Sequence, residues 1–494
     1  MNSFHVTVRV PPEILNMVCS YLTTEEDVFS MSQVCRYWRG VLISFPSLWI
    51  QFPCDRVSRT IAGLERCKSM PIHLAFCRES SSVALEKVLL HGNKITSLTI
   101  NHRLDRIPLL HELFTSSRPS VERLYVRCQK RSGWRPNERT AHVWQDLPSL
   151  RELFVCQYSI PIDQLTAPNL VHLALEEAGF RREVTVHSIL DALRGCPRLE
   201  TLFISHSHVT QDPTRDPSPV SLPHLRSIEL GADEVRSGLM AHLRLPSNIA
   251  AGFRMLPTTE IYDDVPPTVL ATIQHVLGRI NIYCITFAAP PHPEEDFDLL
   301  VRFEGSGASL EITTYAETYE EVRAIFFGRR GVLFSHSPRI ENVRELHIIG
   351  CRFVDGQALD HVSAAMPNVA SISFFHCREP QIFLLPPASL PPPPFPHLGC
   401  IMVLGPVSGL RGMTNTRRDA GVPLKTLVVG RGFEGFEYDH LEDHPLLGEF
   451  VDELHIECPT EVLEWGTENE ILNIWSTVGI PAPVSPNLKL MVPG

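Results

Sequence analysis

A few short runs in this chain carry residue types that could do chemistry. Gly430-Arg431-Gly432-Phe433-Glu434-Gly435 follows the strand-like Thr426–Val429 and has the Gly-x-Gly-x-x-Gly form that can cradle a dinucleotide pyrophosphate. That chemistry needs a helix N-terminus next, facing the phosphates. Phe436-Glu437-Tyr438-Asp439 follows instead, bulky and acidic where close approach is required, so the run reads as a loop leaving a strand. His440 and His444 have the spacing that lets two imidazoles share a metal on a helix. No glutamate adjoins the first of them, and Pro445 follows at once. His206 and His208 have no third ligand in view. No Gly-x-Ser-x-Gly elbow, phosphate-binding Gly-Lys-Ser/Thr loop or paired catalytic carboxylates stand out. The expectation is a chain with no active site, no cofactor and no metal.

Composition narrows the classes further. A chain of 494 residues exceeds what one hydrophobic core usually supports, so two units or an elongated architecture are expected. Apolar content of 44% with 20% charged residues describes a folded, soluble protein. No apolar run is long enough to span a membrane, the first residues lack a signal-peptide pattern, and no Asn-x-Ser/Thr acceptor occurs, so a cytoplasmic or nuclear setting is expected. The thirteen cysteines are odd in number, scattered and free of Cys-x-x-Cys pairs, which reads as free thiols rather than disulfides or zinc ligands. A net charge of −12 argues against nonspecific nucleic-acid binding, which needs a positive surface facing phosphates.

The elements come next. Residues 10–49 hold three helical signals. Pro12 sits where a first helical position tolerates proline, and Ile14, Leu15, Val18 and Leu22 recur on one apolar face. Thr24-Glu25-Glu26-Asp27 has the form of a capping box for a second helix through Val28 and Met31. Cys35, Trp38 and Leu42 share a third face, closed by Pro46. Periodicity alone leaves open whether these faces pack inside the chain or dock on a partner.

The ordered anchors Val10-Pro11-Pro12-Glu13-Ile14-Leu15, Tyr21-Leu22, Asp27-Val28, Val34-Cys35-Arg36-Tyr37-Trp38 and Leu48-Trp49 resemble the F-box. The departures are Val10 and Val28 where leucine is usual, and Cys19 where an aromatic or larger aliphatic is common. The resemblance implies a three-helix domain over 7–52 that binds a Skp-type adaptor and, through it, a cullin–RING (SCF-type) ubiquitin ligase. Carried over by position, its adaptor contacts would be Pro11, Ile14, Leu15, Val18, Leu22, Val34, Cys35, Trp38 and Trp49.

The rest of the chain repeats itself. Pro-x-apolar-x-x-apolar-x-apolar recurs from Pro119, Pro148, Pro168, Pro197, Pro223, Pro367 and Pro396. The central apolar residues Leu98, Leu124, Leu153, Leu173, Leu202 and Ile228 are spaced 26, 29, 20, 29 and 26, and Leu346, Ile372, Ile401, Leu427 and Leu454 are spaced 26, 29, 26 and 27. Those steps fall in the range of leucine-rich repeats, each a short strand with a returning segment such as the helical Val186–Gly195 or Gly356–Met366. Cys351 and Cys377 would sit where that repeat accepts Asn or Cys, and the prolines at 386–396 read as an extended loop. The expected class is α+β to α/β: the helical domain, a linker and first strand at 53–79, and a leucine-rich-repeat-like solenoid over 80–494. An irregular insert is expected at about 250–340, holding a strand at Ile282–Phe287 and a hairpin around Gly305. The whole layout is similar to the expanded fungal families of F-box-like proteins. It implies a non-catalytic receptor whose strands present Arg123, Tyr125, Glu152, Phe154 and Glu229 to a target protein, or a scaffold working outside a ligase.

Overall fold

The computed structural model describes residues 10–21, 25–54, 56–76, 82–89, 91–102, 120–128, 148–157, 162, 165–177, 184–207, 209–210, 218–255, 267–288, 297–316, 340–349, 363–375, 395–404, 410–430, 451 and 453–457. Leu22, Thr24, the glycine-rich loop at 431–435, His208, His440, His444, Cys351, Cys377 and the prolines from 386 to 394 lie outside this set. The chain divides into two compact units, Met1–His224 and Leu225–Gly494. Among the described residues no helix is long and apolar enough to cross a membrane.

The first unit opens with helices α1 (Pro12–Ser20), α2 (Glu25–Val34) and α3 (Arg36–Ser44) and a short 3-10 turn over Pro46–Trp49. The break between α2 and α3 comes from Cys35, whose extended backbone lets its sulfur accept the Trp38 amide at 3.5 Å. The third expected face is therefore divided: Cys35 caps the helix that carries Trp38 and Leu42. Trp49 is 1% exposed, gives its indole N–H to the Leu42 carbonyl at 2.9 Å, and meets Phe29 edge-on at 5.0 Å. Helix α4 (Val57–Arg66) then lays the Arg66 guanidinium over the Trp49 ring at 4.2 Å. Residues 53–79 are thus more than a tether. Their helix clamps the closing tryptophan, and their strand enters the sheet.

That sheet is parallel throughout in this unit. Strands β1 (Gln51–Pro53), β2 (Ile72–Phe76), β3 (Ile95–His102), β4 (Arg123–Cys128), β5 (Glu152–Cys156), β6 (His172–Glu176) and β7 (Thr201–Ser205) pair in chain order. The register sets Leu74, Leu98, Leu124, Leu153, Leu173 and Leu202 side by side, with Phe76, Ile100, Val126, Val155, Leu175 and Ile204 two residues on. All twelve are buried, because residues two apart on a strand share one face.

The repeated prolines have a defined job. Ala167–Leu170, Cys196–Leu199, Met366–Val369 and Phe395–Leu398 each close an i to i+3 turn at 3.0–3.3 Å, with proline second. Its fixed φ suits that position. The apolar residue ending the turn, Leu170, Leu199, Val369 or Leu398, is buried in every case. One carbonyl per repeat, from Glu122, Arg151, Val171, Arg344, Ala370 or Gly399, then accepts two successive amides at the start of the next strand at 2.7–3.1 Å. The same device in both units accounts for the spacing read along the chain.

The second unit contains β8 (Ser227–Leu230), β9 (Ala250–Met255), β10 (Ile282–Ala288), β11 (Phe297–Gly305), β12 (Ala308–Ala316), β13 (Glu345–Ile349), β14 (Ser371–Phe375), β15 (Cys400–Leu404), β16 (Thr426–Gly430) and β17 (Glu453–Glu457). Their spatial order is β8, β9, β12, β11, β10, β13, β14, β15, β16, β17. Among these strands only β11 runs antiparallel. The segment expected as an irregular insert therefore contributes strands to the same sheet, turned back on itself so that the hairpin fills the gap between β9 and β10. A Cβ on Gly305 would overlap Ile280 Cγ2 and come within 2.9 Å of the Asn281 carbonyl oxygen. Gly305→Ala is expected to destabilise this unit by roughly 1–3 kcal/mol through overpacking. Thermal unfolding that matches wild type would refute that reading of the hairpin turn.

Candidate functional site

Helix α1 carries two apolar faces. Leu15 and Cys19 are each 1% exposed, and the Cys19 thiol lies 3.9 Å from the Met31 sulfur, its pKa raised by burial. On the other side Ile14, Met17, Val18 and Tyr21 fall at helical offsets of three, four and seven and are 44%, 51%, 46% and 79% exposed. Val34, at the end of α2, is 62% exposed. A helix of a soluble domain seldom leaves such a stripe facing water unless something covers it. The Tyr37 hydroxyl ties α3 to the start of α1 by donating to the Val10 carbonyl at 2.7 Å.

The nine expected adaptor contacts accordingly separate. Pro11, Ile14, Val18, Val34 and Cys35 are exposed, and Trp38 is half-buried. Leu15 and Trp49 are interior side chains of this chain and present no surface. Two of the expected departures, Cys19 and Val28, are also core positions, so their smaller size is absorbed by internal packing. Met17 and Tyr21 were not among the nine. Their signal was present as the offsets of three and seven from Ile14, outweighed by the stronger apolar pattern through Leu15.

The sheet of the first unit presents its other face through His73, Arg123 and Glu152, with Tyr125 and Phe154 two residues on. The Arg123 guanidinium approaches the His73 ring nitrogen at 3.2 Å, and the Tyr125 hydroxyl donates to Glu152 at 2.5 Å. Burial and then the Arg123 charge hold His73 below the usual histidine range; burial and then the Glu152 bond hold Tyr125 far above the usual phenol value. Arg123, Tyr125 and Glu152 are half-buried neighbours, as an exposed strand face would place them. Phe154 and Glu229 are corrections, at 8% and 9% exposure. Phe154 packs beside Tyr125, ring centres 6.4 Å apart. Glu229 belongs to the second unit and lies over Gly252, whose missing side chain leaves room for it. A polar groove of about 640 Å³ adds residues the strand pattern overlooked: Glu122, Arg151, Asn169, Arg198, Glu200 and His224, all in or beside the turns that precede the strands.

Residues 7–52 match the F-box-like family. The chain carries an F-box-like domain. A second comparison extends beyond that segment: F-box/LRR-repeat protein 22 of Arabidopsis thaliana is 25% identical over 226 residues, 39% of this chain and 67% of that protein. Together they support an F-box protein with repeats. A chain in the crystal structure of the Rad7 and Elc1 complex in yeast aligns with 81% of this chain and 93% of its own length. The TM-score is 0.32 and the identity 13%, too slight a likeness to carry fold or function. Within the matched segment both faces of α1 now have a place: Leu15 and Cys19 hold the F-box together, while Ile14, Met17, Val18 and Tyr21 are left to face outward.

Proposed function

We propose that this F-box protein is a non-catalytic substrate receptor of a cullin–RING ubiquitin ligase, working in the cytoplasm or nucleus. Residues 7–52 hold a Skp-type adaptor and through it a cullin, and the leucine-rich-repeat-like region from about residue 80 to 494 receives the target protein. The observation that carries the reading is the exposed apolar stripe of α1 on a segment that matches the F-box-like family. A surface of that kind, backed by Leu15, Cys19 and Trp49, offers side chains about half of whose area is still to be buried, worth roughly 1 kcal/mol each. The three-helix arrangement and the solenoid character of both ladders fit this division of labour. The half-buried Arg123–Glu152–Tyr125 row and the polar groove beside the turns supply charged and hydrogen-bonding groups of both signs, suited to an extended polar segment of a target. Affinity purification of the full chain with mass spectrometry tests the whole reading. Adaptor and cullin are expected together. Adaptor without cullin would favour a scaffold outside the ligase, and recovery of neither would overturn both.

A further inference from the structure

We propose that Cys284, Glu345 and His347 form a binding site for a divalent transition cation, with zinc the best match to the donors. Cys284 lies on β10, and Glu345 and His347 lie on β13. Parallel pairing sets Cys284 opposite Glu345 and Thr286 opposite His347, so the three donors project from one face of two adjacent strands. One sulfur, one imidazole nitrogen and one carboxylate oxygen all fall within 4.8 Å of one another. Zinc bonds of about 2.3 Å to sulfur and 2.0–2.2 Å to nitrogen and oxygen bring such ligands to about 3.3–3.7 Å apart, within about 1.5 Å of the spacing already present.

The burial gradient fits an ion held against the sheet. Cys284 is 2% exposed, His347 is half-buried, and Glu345 stands at the solvent rim. Three protein donors are the complement of a zinc site that keeps a water in its fourth position. Softness decides the class of ion. A thiolate and an imidazole suit zinc and its neighbours, whereas magnesium and calcium take oxygen donors throughout. On the far side of Cys284 the register places Glu304, whose carboxylate meets the Arg302 guanidinium at 2.9 Å within the buried strand β11. The carboxylates around the thiol thus outnumber the guanidinium, which favours a cation between them.

No sequence spacing announces this group, because the cysteine precedes its partners by about sixty residues and only strand pairing unites them. It stands against the metal-free chain expected from spacing alone. The test uses the full chain, stripped by chelator, kept reduced, and titrated with cobalt(II) followed by zinc. One equivalent of cobalt should produce a thiolate charge-transfer band that zinc abolishes. Cys284→Ala should remove the band, and His347→Ala or Glu345→Gln should weaken binding at least tenfold. X-ray absorption at the zinc edge of the wild-type protein, which needs no variant to fold, should show a single sulfur in a shell of nitrogen and oxygen. A shell of several sulfurs, no sulfur at all, no stoichiometric uptake, or a band that survives Cys284→Ala would each overturn the proposal.

Discussion

Leu153→Asp is expected to abolish soluble, folded protein, the largest single-residue effect the structure implies. Leu153 is 1% exposed and stands in register between Leu124 and Leu173, with Leu150 and Val155 buried beside it along the chain. Losing the leucine forfeits roughly 1.5–3 kcal/mol of burial. The aspartate adds several kcal/mol more, since its charge must be buried or neutralised in an apolar column. A domain stable by about 5–15 kcal/mol does not withstand both, the more so because Leu124 and Leu173 pack in the same buried column. Leu202→Asp and Leu427→Asp should behave alike. Glu152→Gln, on the opposite face of the same strand, should leave folding intact. Soluble yield and circular dichroism decide the matter. A soluble Leu153→Asp chain with wild-type melting would mean that the leucine column is not the core.

The second large effect concerns docking. Ile14→Asp combined with Val18→Asp should remove adaptor capture while the helical domain stays folded, because both side chains are nearly half exposed and the interior residues Leu15 and Cys19 are untouched. With about half of each side chain left to bury, the two lost contacts together cost roughly 1.5–3 kcal/mol, about one to two orders of magnitude in binding, and the buried charges of the aspartates add to that. Leu15→Ala serves as the contrast: about 2–5 kcal/mol of internal packing is lost, and binding fails only because the helices come apart. Calorimetric titration with the purified adaptor, alongside circular dichroism, separates the two kinds of loss. Undiminished binding by the doubly charged variant would remove the α1 stripe from the interface.

What could be read ahead of the structure, and what could not, follows from how far each signal travels along the chain. The turn at Ala167–Leu170 and the strand after it are local, so Pro168, Leu170 and Leu173 announced themselves by spacing. The helix at Val186–Arg194 did so as well, opened by the Thr185 hydroxyl accepting the Ser188 amide. Leu15 and Ile14 are adjacent, and one is interior while the other faces water. A helical wheel holds both apolar and cannot say which side the rest of the domain occupies. Glu229 looked like a solvent-facing strand residue because its cover comes from β9, through the space that Gly252 leaves. Arg417 is a harder case still. It adjoins Arg418 in the sequence, yet it is fully buried, gives a hydrogen bond to the Phe395 carbonyl at 2.9 Å, and has its pKa drawn down to about 10 by burial. Nothing in the neighbouring residues records that carbonyl.

The reversed strand β11 has a consequence for biosynthesis. In a simple parallel array each strand meets its neighbour as soon as it leaves the ribosome, so the sheet can grow in the order of translation. Here β9 must wait for β12, which begins more than fifty residues after β9 ends. At about 5–20 residues per second, an edge bearing Ala251 and Phe253 stays open for roughly 3–10 seconds. An unpaired edge of that kind is a template for mispairing and a handle for chaperones. The nascent chain is therefore most vulnerable from the emergence of β9 until β12 has also left the ribosome, and slowing synthesis within that window should do more harm than slowing it afterwards.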